Sequence, residues 1–595
     1  MKPFHYSLAA SLLFHPCFAA TLSEPSQLTT LTYDYIIVGA GNAGLVIANR
    51  LTENPGTTVL VLEAGVSDQN VVPAMAPFLG PTVTPNTPYD WNYTVVPQAG
   101  MDNRTFPYPR GRLLGGSSSA NYLLHQYGPN DDWNRMGAVT GDPGWAWDNM
   151  SKYLQRHERF VQPSDGHNTT DQFIPSLHSF TGEVPVSLPV FNQSIDARVI
   201  ATTQQLAEFP YNEDMSGISG TSVGVGWVQS SMSQGLRSSS STTYLADANG
   251  RPNLTVLINA LVVKLVQTPS LSGTKAFRAV EFTDARSQTG STFHTVQANK
   301  EVILSAGSIG SVQILQLSGI GAPEDLTPLN ITVLVDSPQL GKNMNDHTLL
   351  PNIYSAQGND SFDHLLMDSA ATQAALTEWA VNKTGFISNN VANNFGFSRL
   401  QSDLVPVPDP AAGPNAPHFE MIYVNFWLDP VISSPDTGSF FTIVTALLTP
   451  TSRGTVKIRS TNPFEAPLID PNMLTTDFDI TAMRESVKAI KRFAAAPAWS
   501  DYLIAPLRNL SATADADIDA YVRQYTTTIF HPSSTAAMAP FNSTNGVVNP
   551  DLTVKGVEGL RIVDLSVFPF IPACHPQGPL YLLAERAADI IKGLV

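Results

Sequence analysis

Residues Tyr33 to Gly65 read YDYIIVGAGNAGLVIANRLTENPGTTVLVLEAG. An apolar β-run, Tyr35 to Val38, enters the turn Gly39-Ala40-Gly41-Asn42-Ala43-Gly44. A helix-period segment follows, and a second β-run, Thr58 to Leu62, ends in Glu63. Each glycine has a physical reason. Gly39 permits the tight turn, Gly41 lets backbone approach a pyrophosphate, and Gly44 lets the helix pack closely on the strand. The N-terminus of the helix that follows the turn has free N–H groups and a positive dipole end that favour phosphates. Glu63 follows Gly44 by 19 residues, the spacing at which a carboxylate accepts hydrogen bonds from ribose hydroxyls and repels a 2′-phosphate. A lone G-x-G-x-x-G is weak and also occurs in ordinary glycine-rich βα turns. With both strands, the helix and the terminal acid in place, it specifies a dinucleotide-binding unit.

The chain has 595 residues, too many for one core, so two domains are expected. Its 43% apolar content suits a globular protein. With 33 basic and 50 acidic residues the net charge is −17, which argues against nucleic acid or an anionic membrane as partner. The N-terminus carries Lys2, an apolar stretch Leu8 to Phe14, and then Cys17-Phe18-Ala19-Ala20. That is the pattern of a secretory signal over residues 1–20, too short to span a bilayer. Its removal would leave Cys574 as the sole cysteine and exclude an internal disulfide. N-x-S/T sequons at Asn92, Asn103, Asn149, Asn168, Asn192, Asn253, Asn330, Asn359, Asn382, Asn509 and Asn542 agree with an exported glycoprotein.

Further along, Pro109-Arg110-Gly111-Arg112-Leu113-Leu114-Gly115-Gly116-Ser117-Ser118-Ser119-Ala120-Asn121-Tyr122 packs glycine and serine tightly enough for backbone N–H groups to face a ligand. Taken alone, it could equally be a flexible serine-rich loop. Segments Leu254 to Val266, Ala279 to Asp284 and Thr295 to Leu304 are β-rich, Thr372 to Asn382 is helix-like, and Ile480, Met483, Val487, Ile490 and Phe493 recur at helical spacing as core. Between residues 355 and 435, Phe395, Phe397, Phe426 and Trp427 are read as packing rather than substrate contacts. In the tail, Phe530-His531-Pro532 is followed 44 residues later by Cys574-His575-Pro576-Gln577-Gly578-Pro579. Histidine suits proton removal from an alcohol because its ordinary pKa lies near neutrality. No acid or Cys cluster accompanies the pair, so a metal site is not expected.

Together the opening fingerprint, GRLLGGSSSAN, the stretch Gly307 to Gly321 (GSIGSVQILQLSGIG) and the tail from His531 to His575 resemble the glucose–methanol–choline (GMC) oxidoreductases. Within that family PRGRLLGGSSS, RSSSSTTYL (Arg237 to Leu245), DPAAGPN (Asp409 to Asn415), PDTGSF (Pro435 to Phe440) and HPQGPLYL (His575 to Leu582) look like the secreted fungal aryl-alcohol oxidases. The resemblance implies a mixed α/β fold. A Rossmann-like FAD domain (31–97, 110–130, 237–345, 525–595) would be interleaved with a substrate domain built on a β-sheet with helices (131–236, 346–524). It implies FAD contacts at Gly39, Gly41, Asn42, Ala43, Gly44, Glu63, Trp91, Arg110, Leu114, Gly115, Ser119, Asn121, Tyr122, Val262 (the adenine end), Ala306, Asp564, His575, Gln577 and Pro579. Ala120 stands where covalently flavinylated members carry histidine, so the flavin is expected to be noncovalent.

By the same resemblance, His531 is the base that removes the hydroxyl proton as hydride leaves for flavin N5, and His575 hydrogen-bonds the alcohol oxygen. Tyr122 and Phe530 match pocket aromatics of the aryl-alcohol oxidases. Leu428 departs from a third such aromatic, and Val312 from the usual Pro or Ser. The expected activity is oxidation of primary aromatic or allylic alcohols to aldehydes, with O2 reduced to H2O2, by a monomer. The alternatives are a sugar dehydrogenase using quinones and, more distantly, a hydroxynitrile lyase.

Overall fold

The computed structural model describes residues 21–270, 273–287 and 292–595. The signal reading at residues 1–20 lies outside them. Strand β1 (Thr32–Val38) leads through the glycine turn into helix α1 (Asn42–Thr52) and then strand β2 (Val59–Leu62), so the opening stretch folds as one βαβ unit. Its apolar runs are buried because both faces of the sheet are covered: Ile36, Ile37 and all of β2 are at most 1% exposed.

The first sheet continues with β3 (Leu254–Leu257), β4 (Ala260–Thr268), β5 (Lys275–Asp284) and β6 (Phe293–Leu304), in the order β3-β2-β1-β6-β5-β4. β1 pairs in parallel with both β2 and β6, whereas β4, β5 and β6 form an antiparallel meander. The Leu254 to Val266 run is thus two strands, broken where Asn259 takes a left-handed backbone. The short strand Leu560–Ile562 adds in parallel beside β6 and brings the tail to the central strands. β1 has β2 on one side and β6 on the other. Its C-terminal end is therefore a switch point, the place where open α/β sheets bind ligands.

Helix α2 (Gly307–Leu317) follows β6, and helix α3 (Gln577–Lys592) packs along α1. The second layer is a seven-stranded antiparallel sheet. Its main path is Leu503–Pro506, Thr348–Ala356, Ser439–Leu447, Phe419–Val424, Asn394–Ser398 and Gly224–Trp227. Thr527–Thr528, which a boundary at 525 assigns to the first layer, pairs with Thr348 and Leu349 of this sheet. The helix Asp477–Ala494 packs on the sheet through Met483, Val487, Ile490 and Phe493, each at most 1% exposed. Phe395, Phe397 and Phe426 lie in an apolar cluster that also contains Leu349, Ile422 and Val424. Among the described residues no helix is long and apolar enough to cross a membrane.

Candidate active site

The C-terminal end of β1 opens into a cleft bounded by Gly39, Gly41, Asn42, Ala43, Glu63, Trp91, Arg110, Val262, Ala306 and Asp564. The three fingerprint glycines meet different surroundings. A Cβ on Gly39, whose φ is +100°, would lie 2.5 Å from the Ser305 carbonyl oxygen, and one on Gly44 would lie 2.1 Å from the Gly39 carbonyl oxygen. One on Gly41 would meet no protein atom within 4 Å. Gly39 and Gly44 are therefore required by the protein itself, whereas Gly41 keeps open a space that belongs to the cleft. A pyrophosphate at the N-terminus of α1 fits that space.

The carboxylate of Glu63 is buried and accepts from Ala40 N and Gly65 N, both at 2.8 Å, leaving further lone pairs for ribose hydroxyls. Asp564 is already engaged. It accepts from Gly307 N (2.9 Å) and Ser311 Oγ (2.6 Å) at the start of α2, and from Ser566 N (2.9 Å). Its role here is to fix the N-terminus of α2, and with it Ala306, at the cleft wall. Leu114, Gly115, Ser119 and Pro579 bound neither this cleft nor the adjoining chamber. Instead Gly115 N donates to Ala40 O at 2.8 Å and Ser119 Oγ to Leu114 O at 2.8 Å, so this loop supports the glycine turn from behind.

Asn42, Arg110, Gly111, Ser117, Leu565 and Leu580 line both the cleft and a second chamber, making the two continuous. The second chamber contains Asn121, Tyr122, Leu428, Phe530, His531, His575 and Gln577, with Leu349, Val391, Ile422, Val424, Val444 and Ile529 as its remaining apolar wall. The rings of His531 and His575 meet edge to face, 4.8 Å between centroids. Asn121 Nδ2 donates to Gln577 Oε1, tying the serine loop to the start of α3.

The hydrogen bonds around His531 specify its tautomer. His347 Nε2 lies 3.0 Å from the Leu448 carbonyl, which can only accept, so that nitrogen carries hydrogen. In the neutral ring His347 Nδ1 is then an acceptor. It lies 3.1 Å from His531 Nδ1, which must donate to it. The lone pair of His531 is thereby left on Nε2. Burial, and after it the nearby His575, His347 and Arg110, hold His531 well below its ordinary pKa, and burial with His575 holds His347 down to about 3. Both rings are neutral near pH 7.

Asp346 accepts from His531 N at 2.8 Å, Tyr108 Oη at 2.5 Å and Thr528 Oγ1 at 2.6 Å; burial raises its pKa to about 6. Phe530, just before His531, has a left-handed backbone (φ 69°). That strained state is held by Phe530 N donating to Thr528 Oγ1 (2.7 Å) and by Arg110 Nη1 donating to Phe530 O (2.5 Å). His575 Nε2 is 2.9 and 3.0 Å from the two oxygens of Glu420, a fully buried carboxylate.

His347, Asp346 and Glu420 were not singled out from the sequence. Asn345-Asp346-His347 is a polar triplet immediately before an apolar strand. Glu420 is the single charge in the strand FEMIYV, whose six residues are all buried. A carboxylate inside an otherwise apolar strand is the signal that could have found it. Among the described residues no cluster of metal-ligating side chains occurs.

Family models described as GMC oxidoreductase match residues 33–349 and 450–584. The chain is 37% identical to dehydrogenase eriK of Hericium erinaceus, over 97% of each chain. It is 35% identical to pyranose dehydrogenase 3 of Leucoagaricus meleagris, over 96% of this chain and 95% of that one. A solved fungal aryl-alcohol oxidase superposes with a TM-score of 0.78 at 26% identity, covering 94% of this chain and 99% of that chain. Whole-chain comparison thus corrects the finer likeness suggested by the short phrases, since the aryl-alcohol oxidase is the more distant of these relatives. The chain belongs to the GMC oxidoreductase family, FAD-dependent enzymes acting on alcohol or sugar CH–OH groups.

Proposed function

We propose that this protein oxidises the primary hydroxyl of an apolar alcohol to the aldehyde. The observation that supports this most strongly is the chamber wall. Around His531 and His575 stand Leu349, Val391, Ile422, Val424, Leu428, Val444, Ile529 and Phe530, and no charged side chain other than Arg110 reaches it. Arg110 is spent on Phe530 O and Ser117 Oγ. Against this wall a sugar would leave hydroxyls facing hydrocarbon, at a cost of roughly 1–3 kcal/mol for each one unpaired, with Asn121, Tyr122 and Gln577 among the polar groups of the remaining lining.

In this reading Gly41, Asn42, Ala43 and Glu63 hold the dinucleotide half of FAD, and Trp91, Arg110 and Val262 close its cleft. FAD, when bound, supplies the acceptor for a hydride from the carbinol carbon. His531 Nε2 takes the hydroxyl proton, and its Nδ1–H stays bonded to His347. His575, anchored through Nε2 by Glu420, offers its other nitrogen to the alcohol oxygen. Ala120, at the edge of the chamber, offers no nucleophile, so the flavin is held noncovalently. All the sequon asparagines except Asn253 are exposed, which supports the secreted reading.

A second reading has a specific support. The relative at 35% identity is a pyranose dehydrogenase and the one at 37% is also named a dehydrogenase, which favours a sugar substrate and an organic acceptor. Anaerobic mixing with 4-methoxybenzyl alcohol and with glucose, followed by admission of O2 or benzoquinone, separates the readings. We expect the aryl alcohol to reduce the flavin with at least tenfold higher kcat/KM than glucose, a difference of about 1.4 kcal/mol in transition-state binding, and benzoquinone to reoxidise it faster than O2. Preference for glucose would give the site to the sugar reading. Acid precipitation should release yellow FAD into the supernatant, and flavin retained in the pellet would refute the noncovalent assignment.

A further inference from the structure

Thr84, Pro109, Tyr122, Leu428 and Phe530 line the chamber of His531 on one side and a larger outer cavity on the other. These five residues form a neck. The inner chamber has a volume of about 150 Å³ and the outer cavity about 840 Å³. A cavity near 150 Å³ holds one benzene-sized group. The outer cavity falls within the roughly 300–1,000 Å³ of ligand sites. Leu428 bears directly on the connection, because an aromatic ring at that position would narrow the neck.

The walls of the outer cavity are rich in proline and mostly apolar. Seven of its lining residues are prolines, from Pro73 to Pro430. Their fixed φ keeps the wall open without ordering at the moment of binding. The hydroxyls of Thr82 and Thr87 are turned onto the carbonyls of Leu79 (2.7 Å) and Val83 (2.5 Å), and present carbon to the space. Asp429 is the single charged residue of the lining. Its oxygens are taken by Arg508 Nη2 at 2.5 Å and by the N–H groups of Val431 and Ile432 at 2.7 and 2.8 Å. Val431, at the mouth, is 50% exposed, an apolar side chain in water awaiting cover. Asn70 and Asn86, the remaining amides, are exposed to solvent.

Resting on the apolar-alcohol reading above, we propose that the outer cavity is a tail site. The substrate is then a primary alcohol whose hydroxymethyl end passes the neck to His531, while an elongated hydrocarbon skeleton, larger than one ring, lies along the proline wall and under Val431. This names the substrate class that a single aryl ring leaves open, and it explains why the neck carries leucine at 428.

The test is anaerobic flavin reduction by trans-2-alken-1-ols from four to ten carbons, with glucose as control, on the flavin-loaded enzyme and on Val431→Asp. The ratio of limiting rate to Kd should rise by about fourfold per added methylene once the inner chamber is filled, the gain expected for burying a CH₂. Val431→Asp, a change at a half-exposed position, should flatten the outer part of that series. If the four-carbon alcohol reduces the flavin and the ratio levels off by six carbons, the tail site is refuted and the alcohol reading stands. An unchanged slope in Val431→Asp refutes the placement of the tail under Val431. If glucose reduces the flavin and no alkenol does, both readings fall.

Discussion

At the scale of single residues, two histidines of one type are made unlike by what each ring nitrogen touches. His531 donates its Nδ1–H to His347 and keeps a lone pair on Nε2 in a buried, neutral ring, while His575 is held by the carboxylate of Glu420. His531→Ala should slow flavin reduction by more than the roughly 10²–10⁴-fold credited to a positioned base, since orientation is lost too. His347 acts only through His531, and its own replacement reports on the tautomer. His347→Leu removes the acceptor for Nδ1–H and should slow reduction about tenfold, the value of one hydrogen bond of about 1.4 kcal/mol. His347→Gln, whose amide oxygen can accept, should recover most of that loss. Stopped-flow traces at wild-type speed in His347→Leu would remove His347 from the mechanism. His531 and His575 were legible because both stand in short distinctive phrases. His347 and Glu420 were not, because they lie 184 and 155 residues from their partners and only the tertiary fold brings them there.

At the scale of elements, the opening βαβ unit follows from local rules: its strand, helix and strand were read in order, with the first strand beginning at Thr32, ahead of the apolar run at Tyr35. The second strand begins at Val59 rather than Thr58 because Thr58 N and Oγ1 are drawn to the Asp34 carboxylate at 2.9 and 3.2 Å, just outside the ladder. The second and third glycines of the fingerprint separate fold from function. Gly41→Val projects into the cleft with no protein atom within 4 Å, so it should cut FAD binding while the apoprotein keeps its Tm. Gly44→Ala puts its methyl 2.1 Å from the Gly39 carbonyl oxygen and should lower the Tm of the apoprotein as well. Flavin absorbance per protein together with differential scanning fluorimetry checks both, and equal melting losses in the two variants would contradict the distinction. Asp564 shows the reverse situation. Its position beside the cleft was legible, but the sequence does not show that its oxygens are consumed by Gly307, Ser311 and Ser566.

At the scale of the whole molecule, both sheets draw strands from distant parts of the chain, and several buried polar clusters join segments that no local pattern relates. The clearest is His178. Its Nδ1 lies 3.0 Å from Glu158 Oε1 and its Nε2 lies 2.8 Å from Asp214 Oδ2, all three side chains fully buried, with Phe160 and Phe173 packed on the ring. Gln229 Nε2 completes the cluster 3.4 Å from Asp214 Oδ1. Two carboxylates on one imidazole require both nitrogens to carry hydrogen. Burial opposes that charge, yet the bonds to Asp214 and Glu158 outweigh it and raise His178 to about 9 from an ordinary 6.5. The sign follows by linkage: the folded state binds this proton more tightly than the unfolded chain does. The stabilisation is therefore fully present below pH 6.5 and lost as pH rises through about 9. Asp214, lowered mainly by its bond to His178 against the cost of burial, adds stability on the opposite flank, which is lost only in acid. Melting of the flavin-loaded enzyme should thus fall steadily between pH 6.5 and 9. His178→Gln, which cannot carry charge, should melt lower at pH 6.5 and show a much flatter profile over the same range. A wild-type Tm that is level from pH 6.5 to 9, or a variant that keeps the wild-type slope, would show that the imidazolium does not hold these four segments together.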